Sequence, residues 1–234
     1  MLERGGFDGL LLDFPREFQA LIDALTEGVS LVDVEGKIDD ELGQLSEGWL
    51  YRNRGILESI SRSLVAPGPA CIGELEVEKR ILEGKMTISL LEYRGMAGHI
   101  DVHSWRELLG RIADGSTRSV ERQMDRALAL MGGGGRWLWI SDIHARRAAP
   151  VLRGEGHSCH LVLLGRPYLG TPLEALRAEL AERSPTDSRV LYLVERHVEF
   201  LRDYVLVSSN LDEAYDGWLA AEEWLKLYHL QGAA

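Results

Sequence analysis

Acids and imidazoles fall at a few places in this chain where their spacing permits acid–base or metal chemistry. Asp142-Ile143-His144 follows the apolar run Trp137-Leu138-Trp139-Ile140. A carboxylate and an imidazole two residues apart at a strand end can act as metal ligands, or as a base with its orienting partner. The equal alternative is that Asp142 caps the next helix and His144 lies at the surface. In His99-Ile100-Asp101-Val102-His103, an extended backbone would send His99, Asp101 and His103 to one face. Two imidazoles and a carboxylate suit zinc, manganese or iron, and an open coordination position would acidify a water for hydrolysis. The residues favour a plainer arrangement: a polar loop before a helix at Trp105, with Ser104 as a nearby cap. Asp13 and Glu92-Tyr93-Arg94 end two further apolar runs. Arg94 would stabilise developing negative charge.

The elements that must position these groups read as α/β. Short apolar runs alternate with stretches of helical period, predicting strands at Leu10 to Asp13, Ser30 to Val34, Thr87 to Glu92, Trp137 to Ser141, His160 to Leu164 and Val190 to Val194. Several lack polar alternation, as in parallel strands covered on both faces. The expected fold is a mostly parallel sheet of about five to six strands flanked by helices, with a C-terminal amphipathic helix. Residues 1–234 read as one domain, with a core at about 7–194 and a helical segment at about 195–230. In such sheets ligands bind beyond the carboxyl ends of the strands, which places Asp13, Glu92, Arg94, Asp142 and His144 on one edge, with His99 and His103 able to join them. His157-Ser158-Cys159-His160 falls at the amino end of its strand and is expected to be structural or at the surface, and His197 and His229 lie on helical patterns and are expected to be interface or solvent residues.

Two helix starts are well marked. Thr171-Pro172-Leu173-Glu174 supplies a cap, a first-turn proline and a glutamate for a helix to about Arg183. Asn210 caps a helix carrying Leu211, Ala214, Trp218, Ala221, Leu225 and Tyr228 at three- and four-residue steps. Further helices are expected at Pro15 to Leu25, Ile56 to Leu64, Gly73 to Leu82, Trp105 to Ile112, Val120 to Met131 and Arg146 to Leu152. The stretch Ala66 to Ala70 reads as a loop. Gly132 to Gly135 precedes a strand, so it reads as a helix-to-strand turn rather than a phosphate loop, and no dinucleotide fingerprint follows a strand. No nucleotide cofactor is expected.

Composition narrows the function classes. A net charge of -11 disfavours polyanion partners, so nucleic acid is not expected. No apolar run reaches the roughly 20 residues of a membrane helix, and no signal core is present, which points to the cytoplasm and away from membranes. Two cysteines, Cys71 and Cys159, are too few for a disulfide framework and are expected to be reduced.

The order of these pieces resembles the TraB/PrgY-type family and its erythromycin-esterase-like relatives. Leu10-Leu11-Leu12-Asp13-Phe14-Pro15 looks like the family's hydrophobic strand ending in an acid, and Leu90-Leu91-Glu92-Tyr93-Arg94 like its strand ending near an arginine. Glu121-Arg122-Gln123-Met124-Asp125 is similar to the arginine- and methionine-bearing helix, and Trp139-Ile140-Ser141-Asp142-Ile143-His144 stands where the family has Gly-x-x-His. The chain departs from the pattern in lacking the opening strand with its histidine, in Asp13 for glutamate and in Ser141 for glycine. The resemblance implies metal-assisted hydrolysis for some members, and the departures fit a degenerate relative equally well.

Two functions therefore stand side by side. One is a metal-assisted hydrolase acting on a small-molecule or peptide substrate, with Asp142 and His144 central, Asp13 and Glu92 as ligands or base, and His99, Asp101 and His103 as accessory ligands. The other is a non-catalytic binding or assembly module, a homodimer through the C-terminal helix with Trp218, Trp224 and Tyr228 as anchors. That helix covering the chain's own body is the favoured alternative to the dimer.

Overall fold

The computed structural model describes residues 6–62, 68–132, 134–141, 145–162, 170–182, 184–221 and 223, with backbone alone for 113–118, 145–147 and 181–182. In chain order the elements are β1 (Gly9–Pro15), α1 (Gln19–Thr26), α2 (Leu31–Leu42), α3 (Ser46–Arg62), β2 (Ala70–Gly73), α4 (Leu75–Met96) and α5 (Val102–Met131). These are followed by β3 (Trp137–Ile140), α6 (Ala145–Gly154), α7 (Pro172–Glu182), α8 (Asp187–Phe200), a π-helical turn (Leu201–Val205) and α9 (Leu211–Ala220). Contacts divide the chain into two compact units, Met1–Glu83 with Gly115–Leu161 and Gly84–Asp114 with Val162–Ala234. Two of those boundaries fall inside the long helices α4 and α5, where no change of composition marks them.

In the first unit the described strands form a three-stranded parallel sheet in the order β2-β1-β3. Its central strand is apolar because it is covered on both faces. Leu10, Leu12 and Phe14 pack with Ile22, Leu25, Val34 and Ile38 on one side. Leu11 packs with Ile72, Val120, Met124 and Ala148 on the other. Leu11 and Leu12 are fully buried, each contributing about 1.5–3 kcal/mol relative to exposure. The turn from α5 into β3 uses the expected glycines, with Gly134 and Gly135 at φ 78 and 94, a region open to glycine without a Cβ penalty.

The expected five to six strands are corrected to three among the described residues. Ser30 to Val34 opens α2, where the Ser30 hydroxyl accepts from the Asp33 amide at 3.1 Å and receives the chain as an N-cap. Thr87 to Glu92 lies within α4 and Val190 to Val194 within α8. Val190, Leu193 and Val194 are buried at three- and four-residue steps, and Thr186 caps α8 by accepting from the Arg189 amide. A short β-branched run has the same composition in a buried strand and on a buried helix face, so capping decides between them. His160 to Val162 carries no strand assignment, and Leu163 and Leu164 lie outside the described residues. Conversely, β2 forms where the sequence reads as the end of a loop and the start of a helix.

The second unit is helical around Trp105, Leu109, Leu176, Val190, Leu193 and Trp218. Both marked helix starts are present: Thr171 accepts from the Glu174 amide at 3.4 Å and Asn210 from the Glu213 amide at 2.9 Å. Trp218 is 1% exposed, set edge-on against Phe200 and Tyr204, with its indole nitrogen donating to the Gly170 carbonyl. It is therefore a core residue of this unit and not a free interface anchor; Leu225, Trp224, Tyr228 and His229 lie outside the described residues. No described helix is long and apolar enough to cross a membrane.

Candidate functional site at the carboxyl edge of the sheet

The parallel sheet brings its carboxyl ends to one edge, and strand periodicity selects which side chains share a face there. Leu11 pairs in register with Ala70 on β2 and with Trp139 on β3, and Leu11, Ile72 and Trp139 all join the cluster packed with α5 and α6. Two residues further along each chain stand Asp13, Glu74 and Ser141. On that face the packed apolar residue of each strand is thus followed, two positions on, by a side chain able to do polar chemistry: Asp13 within β1, and Glu74 and Ser141 just beyond β2 and β3.

Asp13 is the convergence point. The Trp139 indole donates to its Oδ1 at 2.6 Å, and the Ser141 hydroxyl donates to its Oδ2. Two neutral donors orient the carboxylate without neutralising it. Close approach to β2 is allowed by Gly73, where a Cβ would collide with the Asp13 carbonyl oxygen.

Glu74 is held by two cations from successive turns of α5. Arg126 Nη2 lies 2.5 Å from Glu74 Oε1 and Arg122 Nη2 lies 3.3 Å from Oε2. Arg126 also donates to the Ile72 carbonyl at 2.9 Å, so it ties α5 to the end of β2. Its i,i+4 partner Arg122 keeps half its side chain exposed and presents positive charge at the edge. Neither Glu74 nor this pair was among the expected site residues. The signal lay in the four-residue spacing of Arg122 and Arg126 and in an acid directly following the Ala70–Gly73 run. Arg122 belongs to the Glu121 to Asp125 segment that carried the family resemblance.

The other expected residues divide as follows. Asp142 and His144, the residues next along the chain from Ser141, lie outside the described residues. Glu92 and Arg94 do not end a strand: they lie on α4 and belong to the second unit. Glu92 Oε1 there meets His197 Nε2 at 2.8 Å, with His197 5% exposed and edge-on to Trp105 at 6.0 Å. The extended face expected for His99, Asp101 and His103 is also corrected, because α5 begins at Val102. Asp101 caps it, accepting from the amides of His103 and Ser104 and from the Ser104 hydroxyl at 2.7 Å. The Ser104 hydrogen bonds hold the Asp101 carboxyl below its ordinary value. His99 meets the Ala97 carbonyl at 3.0 Å, and His103 is exposed 3.9 Å from Glu107.

No family model, curated protein or solved structure matches the chain. The chemistry at the edge must be inferred from its own residues. Among the described residues, no group of three or more His, Cys, Asp or Glu stands ready to hold a metal ion. A surface depression of the first unit is lined by Arg16, Glu17, Gln19 and Cys71. Its thiol is pushed up to about 12, by burial first and Asp23 second, and so is not a nucleophile at neutral pH.

Proposed function

We propose that the carboxyl edge of the first unit's sheet is a metal-assisted hydrolytic site acting on a small molecule or peptide. One observation supports the reading: Trp139 and Ser141 both donate to Asp13 near the carboxyl end of β1, and Asp142 and His144 follow Ser141 in the sequence. Asp13, Asp142 and His144 comprise two hard oxygen donors and an imidazole, a set suited to zinc, manganese or iron. A divalent metal held by them would supply a water acidic enough to attack at neutral pH. Asp13 orients and accepts a proton, Ser141 and Trp139 fix its plane, and Arg122 offsets negative charge on the substrate. The TraB/PrgY-type layout is part of the same proposal, and Glu92, Arg94, His99, Asp101 and His103 take no part in it.

Elemental analysis of the purified protein tests this. A divalent metal near one equivalent per chain, lost in His144→Ala, is the expected result; metal-free protein that takes up none on incubation and is unaltered by His144→Ala overturns it.

The competing reading, a non-catalytic binding module descended from such an enzyme, draws on the engagement of both Asp13 oxygens within the fold, as in an acid that only ties two strands. It predicts that Asp13→Asn lowers stability and leaves metal content unchanged.

A further inference from the structure

Helix α4 is apolar on two opposite sides. Taking about 100° per residue, Gly84, Ile88, Leu91 and Gly95 share one side. That side is packed: a Cβ on Gly95 would stand 2.7 Å from Val198 and one on Gly84 3.0 Å from Ile112, and Ile88 and Leu91 are 5% exposed. Directly across the helix, Met86, Leu90, Tyr93 and Ala97 fall within about 60° of one another. Here Met86 is 56%, Leu90 48% and Tyr93 69% exposed. A solvent-facing helix side is ordinarily charged, and scattered apolar residues need no explanation, but three large ones in a line along about two turns form a patch of the kind that marks an interface.

The charges flanking this stripe choose the occupant. Glu83 and Arg94, both exposed, lie on the same flank within about 20° of each other and eleven residues, about 16 Å, apart along the axis. A two-fold axis across the helix reverses its direction and keeps each flank on its own side. Two copies of α4 crossing antiparallel about a point near Ser89 therefore set Glu83 of each against Arg94 of the other, twice. The same axis lays Met86 toward Tyr93 of the second copy and brings Leu90 close to its own symmetry mate. A self-complementary patch is what an isologous dimer requires.

We propose that the Met86–Leu90–Tyr93 side of α4 is a homodimerisation surface, occupied by the same helix of a second copy in antiparallel orientation. This contact differs from one through the C-terminal helix and does not depend on the activity of the sheet edge. A handful of side chains falls short of the ~800 Å² per partner of a standard interface, so the dimer is reversible and its population rises with concentration.

Sedimentation velocity on the full chain over a wide concentration range tests the pairing. Wild type shifts from monomer to dimer, and Leu90→Glu with Tyr93→Glu is monomeric throughout while keeping its circular dichroism spectrum. Because both positions are exposed, the fold tolerates the charges. Glu83→Arg and Arg94→Glu each raise the dimer dissociation constant by about tenfold, since each turns two attractive pairs repulsive. The double swap Glu83→Arg/Arg94→Glu in one chain returns it to near the wild-type value. A wild type that stays monomeric at the highest concentration, a dimer indifferent to Leu90→Glu/Tyr93→Glu, or a double swap that fails to restore association overturns the proposal.

Discussion

Asp13 and Glu92 are both partly shielded carboxylates with a close ring-nitrogen partner, at 2.6 Å from the Trp139 indole and 2.8 Å from the His197 imidazole. Their settings differ in kind. Asp13 lies near the carboxyl end of the central strand of a parallel sheet, two residues before its last residue Pro15 and among side chains delivered by its neighbouring strands and by α5. Glu92 sits on the flank of a helix, and its partner His197 is 5% exposed within a packed helical body beside Trp105. The first arrangement gathers polar groups from separated stretches of sequence onto an accessible edge; the second closes a hydrogen bond between two helices inside one core. An acid–histidine pair with good geometry is therefore not by itself a site.

The comparison can be broken at four points. The largest expected effect lies in the helical body. His197→Ala removes a buried ring and strips Glu92 of its partner, costing roughly 3 kcal/mol in urea unfolding, while metal content stays at the wild-type level. A smaller loss than about 1 kcal/mol would deny the pair its structural role. Next is Gly73→Ala, which forces a methyl group onto the backbone oxygens of Asp13 and Phe14 and should cost about 2 kcal/mol together with weakened metal binding, since the strand ends must part. Trp139→Phe keeps an aromatic ring, smaller than the indole, and deletes one donor to Asp13. It is expected to cost about 1 kcal/mol, with metal affinity falling although no proposed ligand is touched.

The smallest effect tests the reassigned His99–His103 segment. Asp101 is held below the ordinary carboxyl value chiefly by the Ser104 hydroxyl. Its folded-state value is depressed, so its contribution is full above the unfolded carboxyl range and fades as pH falls through the lower, folded value. Asp101→Ala should therefore fray the start of α5 at neutral pH, seen as faster amide exchange at His103 and Ser104, with the difference from wild type vanishing in strong acid. His99→Ala and His103→Ala should leave metal content unchanged.

How far these two regions were legible in the sequence follows from the same physics. β1 and β3 were readable because an uninterrupted apolar run between turn residues is what a strand covered on both faces looks like. The starts of α7 and α9 were readable because Thr171 and Asn210 are caps with the right residue three positions on. The runs at 87–92 and 190–194 were read as strands because helices buried on one side, and in α4 apolar on the opposite side too, produce the same uninterrupted pattern over six residues. That misreading moved Glu92 and Arg94 to a sheet they do not join. Asp13 was read as a strand-end acid, whereas β1 continues through Phe14 to Pro15; Glu74 was hidden behind a four-residue strand preceded by Pro67 and Pro69, too short for alternation to register. The caps at Ser30 and Thr186 were in the sequence and would have separated helix from strand at both places.

The contrast between the edge and the core meets its most direct test in calorimetric titration of manganese or zinc into the metal-stripped full chain, comparing wild type with Asp13→Asn and Glu92→Gln, both close in shape to the residues they replace. One site per chain is expected in wild type, abolished in Asp13→Asn and retained with unchanged affinity in Glu92→Gln. A site that survives Asp13→Asn, or one that is lost in Glu92→Gln, contradicts the assignment of the chemistry to the sheet edge.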